Sequence, residues 1–277
     1  RFPGVEVTAR LSRHYPLAPL AVHDIGYVGR IDVTELRHVS AGEYAGTSYI
    51  GKTGIEQHYE SVLHGAVGLE QVEANAQGRT LRVLKRDAPH PGENLYLTLD
   101  ANLQATAQKA MGDYTGAVVA LDPHNGDILA MVSMPTYNPN PFVNGISSEA
   151  YHALYDNPGH PLFDRAIRGL YAPGSTIKPF MALAGLQYGA IRPASTVYCP
   201  GYYQLPGDSR KYWGWKRGGH GIVDLRKAIT QSCDVYFYTL AHELGIERIH
   251  TFLSRFGFGK PTGVDLPGEK NGLLPSP

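Results

Sequence analysis

A proline- and glycine-rich segment, Asp87–Gly92, is the feature that most constrains how this 277-residue chain can fold. Its two prolines cannot donate a backbone hydrogen bond, so neither a helix nor a central strand continues through it. Before it, short apolar stretches alternate with glycine and charge, and Thr80–Leu84 is typical of a strand. The break therefore predicts a β-rich N-terminal domain over residues 1–90 and a second domain over residues 91–277.

The second region has longer periodic segments. Ala117–Leu121 and Ile128–Val132 are β-rich and flank a turn that contains Asn125-Gly126, which predicts a hairpin. Leu95–Leu99 alternates like a strand, and Ala101–Met111 has the composition of a helix. Helical patterns follow around Ser175 and from Asp224 to Leu244. Strands with segregated helices indicate an α+β domain.

Composition excludes several classes of function. Lys+Arg and Asp+Glu both number 25, so no excess of basic residues favours nucleic acid as a partner. With 43% apolar residues, the chain is composed like a globular protein. No run approaches the roughly 18 apolar residues of a membrane span, and the first residues, Arg1-Phe2-Pro3-Gly4, do not have the pattern of a signal peptide. We expect any targeting or anchoring segment to lie outside this chain, and we expect both ends to be cut.

A nucleophilic serine is predicted at Ser175, which follows Pro173-Gly174 and precedes Lys178 by three residues. Residues three apart on a helix share a face, so the lysine amine can approach the hydroxyl. A serine hydroxyl needs a neighbouring base to become a good nucleophile, and a partly desolvated lysine supplies one. The alternative is a capping serine followed by a surface lysine.

A second polar group, Ser232-Cys233-Asp234, interrupts an apolar helical stretch 57 residues downstream of Ser175. In the functional interpretation Ser232 relays a proton between lysine and leaving group, and Asp234 orients the lysine or the substrate. In the structural alternative, Ser232 and Asp234 cap backbone groups where two helices meet. The order and spacing of the two groups favour the functional interpretation.

Taken together, these segments resemble the class B penicillin-binding proteins. The resemblance rests on Ser-x-x-Lys followed by Ser-x-Asp, on Leu97–Asp100, Gly116–Asp122 and Arg168–Thr176, and, for the elongation branch of that family, on Gly51–Glu56 and Gly201–Pro206. It covers essentially the whole chain. It implies an α+β fold in which an N-terminal pedestal, similar to a dimerisation domain, is followed by a transpeptidase domain truncated at its C-terminus.

The resemblance also implies an activity. Ser175, Lys178, Ser232 and Asp234 would be the catalytic residues of a peptidoglycan D,D-transpeptidase that cross-links stem peptides through a serine acyl-enzyme and is acylated by β-lactams. No cofactor would be required. The protein would stand at the periplasmic face of the bacterial inner membrane, held by an N-terminal helix absent here, with a membrane glycan polymerase as partner. The alternatives are a D,D-carboxypeptidase or β-lactamase-type hydrolase, and a non-catalytic module that activates such a polymerase.

A literal match to the third active-site box of the family, Lys52-Thr53-Gly54, is predicted to be unrelated to catalysis. In the family that box follows the other two, whereas here the triplet precedes Ser175 by more than a hundred residues. We predict a turn before a helix that starts near Ile55. The catalytic third box is expected beyond Pro277.

Cys199, His220 and Cys233 are spaced too widely for a zinc finger. From the residues alone, a disulfide or two unrelated buried thiols are favoured over zinc. The resemblance implies a structural zinc near the second box, for which His220 and Cys233 match ligands and Cys199 stands in place of an acidic one. Zinc and disulfide therefore both remain open, and the acidic ligand expected near Gly214 is missing.

Overall fold

The computed structural model describes residues 12–40 and 42–277. They form two compact units: one contains the described residues up to Gly169 together with Val264–Glu269, and the other contains Leu170–Gly263 and Lys270–Pro277. Strands and helices occur in both, as expected for an α+β protein. In the described part of the chain, no helix has the length and apolar character that crossing a bilayer requires.

The first unit contains short helices and antiparallel strand pairs. Its helices are α1 (Val22–Ile25), α2 (Gly54–His58), α3 (Glu60–Leu63), α4 (Ala101–Met111), α5 (Asn140–Val143), α6 (Ser148–Tyr155) and α7 (Arg165–Arg168), with a 3-10 turn at Glu35–Arg37. Its strands are β1 (Val28–Arg30), β2 (Tyr49–Gly51), β3 (Leu69–Ala74), β4 (Thr80–Asp87), β5 (Gly116–Leu121) and β6 (Ile128–Met134). They pair as β1–β2, β3–β4 and β5–β6.

Most of the predicted elements of this unit are present. The β5–β6 hairpin confirms the predicted turn, β4 contains the predicted strand, and α4 spans the predicted helix. The strand predicted at Leu95–Leu99 is wrong: the segment contacts β6 through single bonds, from Thr98 Oγ1 to the Ile128 carbonyl and from the Asp100 amide to the Leu129 carbonyl, and not through a ladder. The alternating apolar residues therefore mark an unpaired segment, in which Tyr96, Leu97 and Thr98 are exposed.

A buried polar cluster anchors α4. The Gln104 amide nitrogen donates to Asp24 Oδ2 at 3.0 Å and to the Met131 carbonyl at 2.7 Å, and its oxygen accepts from the Met131 amide at 2.8 Å. Asp24 is 2% exposed, and its Oδ1 has no hydrogen-bond partner among the described residues. Burial raises the pKa of Asp24 well above its usual range, and the nearby Asp164 carboxylate raises it further.

The second unit holds the larger apolar core. It begins with a 3-10 helix, Gly174–Ile177, and continues through α8 (Lys178–Gln187), β7 (Val197–Cys199), β8 (Tyr202–Gln204), β9 (Lys211–Trp213), β10 (Gly221–Val223), α9 (Leu225–Thr230) and α10 (Asp234–Ser254, interrupted at Gly245). β7 pairs with β10 and β8 with β9, both antiparallel. The core is formed chiefly by α8 and α10, through Met181, Ala184, Tyr236 and Leu240.

Asp24→Asn is expected to stabilise the protein increasingly as the pH rises. Below the pKa of the unfolded chain, Asp24 is protonated in both states. Above it, the unfolded aspartate ionises while the buried one resists, so the wild type loses stability that the asparagine variant keeps. At pH 7 the variant should gain about 1 kcal/mol or more in free energy of unfolding.

Urea unfolding between pH 4 and pH 7 measures this difference, and Asp113→Asn, at an exposed aspartate, is the matched control. A difference that stays constant or shrinks as the pH rises would contradict the assignment of Asp24 as a destabilising buried acid.

Candidate active site

The four side chains predicted to be catalytic lie together in the second unit. Lys178 Nζ donates to Ser232 Oγ and to the Ser232 carbonyl, both at 2.9 Å, and to Asp234 Oδ1 at 2.6 Å. Ser232 Oγ in turn donates to Ser175 Oγ at 2.8 Å. A continuous hydrogen-bonded path therefore runs from Asp234 through Lys178 and Ser232 to Ser175.

The backbone turns sharply at the Pro173-Gly174 pair that precedes Ser175. Gly174 has φ +55°, a left-handed conformation that suits glycine, and it begins the 3-10 helix that carries Ser175. Lys178 starts α8 directly after it. Ser175 is exposed, whereas Lys178 is only 8% exposed, and Ser232 bridges the two side chains.

Ser232 occupies the left-handed position that ends a helix. Its φ is +51°, its amide donates to the Ile229 carbonyl, and the Cys233 amide donates to the Ala228 carbonyl. This is the Schellman arrangement at the C-terminus of α9, a position where glycine is preferred. A serine with this φ is strained, which is a recurring property of functional sites. The turn also aims the Ser232 hydroxyl between Lys178 and Ser175.

Asp234 is the first residue of α10, where the helix dipole favours a carboxylate. One carboxylate oxygen accepts from Lys178, and the other accepts from the backbone amide of Trp215 at 3.0 Å. The contact of Trp215 with Asp234 was not predicted from the sequence. A backbone donor can belong to any residue type, so the contact leaves no trace in the residue pattern.

Cys199, His220 and Cys233 also lie together. Their ligand atoms are all within 4.8 Å of one another, and Cys199 Sγ is 3.5 Å from His220 Nδ1. Both cysteines are buried and free, so the structure contains no disulfide between them. Burial raises the pKa of the Cys233 thiol to about 11, and it lowers the pKa of His220, as the nearby Lys216 and Lys227 also do.

Lys52-Thr53-Gly54 lies in the first unit, where Lys52 and Thr53 directly precede α2 and Gly54 is the first residue of that helix. Gly54 has φ +59°, and a Cβ at this position would be 2.5 Å from the Asp24 carbonyl oxygen. Lys52 forms an ion pair with Glu35. Gly54 and Lys52 are thus accounted for by the local fold, whereas the buried Thr53 hydroxyl has no hydrogen-bond partner among the described residues.

The sequence matches the family described as the penicillin binding protein transpeptidase domain over residues 116–277, and the penicillin-binding protein dimerisation domain over residues 1–97. It is 50% identical over its whole length to the peptidoglycan D,D-transpeptidase MrdA of Acinetobacter baumannii, of which it covers 41%.

Solved structures that resemble this chain are of the same kind of protein. The complex of Pseudomonas aeruginosa PBP2 with WCK 5153 matches 98% of this chain and 56% of that one, at 49% identity and a TM-score of 0.86. A structure described as coordination of polymerization and crosslinking by a peptidoglycan synthase complex matches 96% of this chain and 48% of its own, at 32% identity and a TM-score of 0.79. The chain spans about half the length of these relatives.

The chain therefore belongs to the penicillin-binding proteins and combines their dimerisation and transpeptidase domains. Within that family it is a class B member, and its similarity is to penicillin-binding protein 2, the MrdA type.

Two substitutions of Ser232 separate the effect of backbone strain on stability from the effect of losing the hydroxyl. Ser232→Gly should raise the free energy of unfolding by about 1 kcal/mol relative to Ser232→Ala, because only glycine is unstrained at this φ. Both variants lack the hydroxyl, so the comparison isolates the backbone. Thermal or urea unfolding of the two proteins measures the difference, and an alanine variant as stable as the glycine variant would contradict the strained geometry.

Proposed function

We propose that this chain forms part of a peptidoglycan D,D-transpeptidase in which Ser175 is the nucleophile. The observation that carries the proposal is the hydrogen-bonded path between Ser175, Ser232, Lys178 and Asp234. It joins an exposed serine hydroxyl to a buried amine through a single intermediate hydroxyl, which is the arrangement that proton transfer from a serine nucleophile requires.

In the acylation step, Ser175 Oγ attacks the carbonyl carbon of the penultimate D-alanine of a stem peptide. Lys178 starts this step as the neutral amine, whose N–H groups bind Asp234 and the Ser232 carbonyl. The Ser175 proton passes to Ser232 while the Ser232 hydroxyl turns and gives its own proton to the Lys178 lone pair. The peptide C–N bond then breaks, and the same path returns a proton to the departing D-alanine amine. Asp234 holds the lysine in place throughout. The amide of Ser175, in the first turn of the 3-10 helix, has no acceptor within that helix and is free to bind the oxyanion.

In the second step, an amine from a neighbouring stem peptide attacks the acyl-enzyme, and Ser175 leaves with a returned proton. The new amide is the cross-link. A β-lactam would acylate the same oxygen. A carboxypeptidase or β-lactamase would use water as acceptor, but the match to a dimerisation domain over residues 1–97 favours the transpeptidase. A non-catalytic pedestal that only activates a polymerase is disfavoured by the complete hydrogen-bonded path.

The domain division, the partner and the location belong to the same proposal. Residues 1–90 would form the pedestal and residues 91–277 the transpeptidase domain. The similarity to a peptidoglycan synthase complex that coordinates polymerization and crosslinking supports a membrane glycan polymerase as partner. Such a partner, and a glycan substrate outside the membrane, support the periplasmic face of the inner membrane as the location.

Catalysis needs no cofactor, but Cys199, His220 and Cys233 would hold a structural zinc. Ligand atoms around tetrahedral zinc lie about 3.5–3.8 Å apart. The Cys199 Sγ to His220 Nδ1 distance of 3.5 Å matches this spacing, and all three ligand atoms lie within 4.8 Å of one another. Two thiols and an imidazole are ligands that zinc prefers. A water or another small ligand would complete the site, since glycine stands at position 214. The metal would brace Cys233 between Ser232 and Asp234.

Ser175→Ala is expected to abolish covalent labelling by fluorescent penicillin in the protein as the cell makes it. Ser232→Gly should slow labelling about 100-fold or more, because the proton path loses its central hydroxyl. Because Ser232→Gly is expected to be well folded, its slower labelling would not result from global damage to the protein. Labelling that persists in Ser175→Ala would show that the nucleophile is a different residue.

Purified protein is expected to contain about one zinc per chain by elemental analysis, with neither thiol titrating in the native state. Cys199→Ser and Cys233→Ser should each lose most of the metal, whereas His242→Asn, at a histidine outside the trio, should keep it. Two freely titrating thiols in metal-free native protein would contradict the zinc site.

A further inference from the structure

Trp215 contacts the active-site turn at two points. Its backbone amide donates to Asp234 Oδ2 at 3.0 Å, and its indole Nε1 donates to the Gln231 carbonyl at 3.1 Å. These two acceptors lie on either side of Ser232. The indole ring also packs edge-on against His220, with 5.4 Å between the ring centroids. One residue outside the two active-site boxes thus joins both ends of the segment that carries the relay hydroxyl.

The indole bond satisfies a group that the helix leaves unpaired. The last carbonyls of a helix lack intrahelical donors, and the Schellman bonds at Ser232 use those of Ala228 and Ile229. The Gln231 carbonyl, one residue before Ser232, accepts a hydrogen bond from the indole N–H of Trp215. Because Trp215 is 65% exposed, water can replace the indole at this carbonyl, so the bond fixes position more than it adds stability.

The hydrogen bond from the Trp215 backbone amide fixes the orientation of the Asp234 carboxylate. Asp234 has two oxygens to present, and the Trp215 amide occupies one of them, which turns the other towards Lys178. The Lys178 amine is then directed at Ser232 Oγ and, through it, at Ser175. A small displacement of this turn would lengthen two consecutive hydrogen bonds of the proton path.

We propose that Trp215 is a positioning residue for acylation: it clamps the turn from Gln231 to Asp234, so that Ser232 and Lys178 stay aligned with Ser175. This rests on the proposed function, in which Ser175 is the nucleophile. Trp215 acts through the turn and takes no part in bond making.

Acylation by a fluorescent penicillin, resolved into a dissociation constant for the initial complex and a rate constant for the covalent step, tests the proposal. Trp215→Phe keeps the backbone amide and a ring but loses the indole donor. The covalent rate constant should fall about tenfold, since misplacement of reacting groups by fractions of an ångström is costly. The dissociation constant and the unfolding midpoint should stay unchanged.

Two further proteins sharpen the test. Trp213→Phe is the matched control, because Trp213 packs on Tyr202 and Arg217 and should leave the covalent rate constant unchanged. Replacement of Trp215 by 3-benzothienylalanine keeps the ring shape and replaces only the N–H by sulfur, so it decides the matter if the phenylalanine variant folds poorly.

A covalent rate constant that equals the wild-type value in a folded Trp215 variant overturns the proposal, and so does an effect confined to the dissociation constant. Wild-type protein that is never labelled overturns the proposed function instead, so the two failures are distinguishable.

Discussion

The local geometry of the second unit depends on the hydrogen bonds of one buried amino group, that of Lys178. A polar group removed from water is costly unless it finds hydrogen-bond partners. Here the partners are the carbonyl and hydroxyl of Ser232 and the carboxylate of Asp234. All three come from one short turn, so the placement of that turn against the start of α8 is fixed by hydrogen bonds as well as by packing. The apolar side chains of α8 and α10 hold the two helices at the distance that this requires.

Two sets of side chains share this turn. Ser232 and Asp234 face Lys178, while Cys233, between them, is fully buried beside Cys199 and His220. Consecutive residues point in different directions because the chain leaves α9 through a left-handed residue and enters α10 two residues later. A change on the thiol side of the turn would therefore reach the hydroxyl side through the backbone, without any direct contact with Ser175.

Sequence reasoning predicted what depends on short-range pattern. The β5–β6 hairpin, α4 and the junction between α9 and α10 each follow from turn residues or periodicity within about a dozen positions. The four residues of the hydrogen-bonded path were recognised by their spacing and by family resemblance. It did not predict that Leu95–Leu99 is unpaired, because strand formation depends on a partner that the segment itself does not specify. The contacts of Trp215 and Gln104 could likewise not be predicted from the sequence, since they join groups far apart in the chain.

The close approach of Gly54 to the Asp24 carbonyl oxygen has a consequence for reading related sequences. In this turn Gly54 is required by the neighbouring backbone and Lys52 forms an ion pair with Glu35, so two of the three residues have roles in the local fold. A text search for the family's third box would report this triplet as a false positive in any homologue that keeps the same turn. Genome surveys that count boxes to decide whether such a protein is intact should therefore require the order of the boxes along the chain as well as their presence.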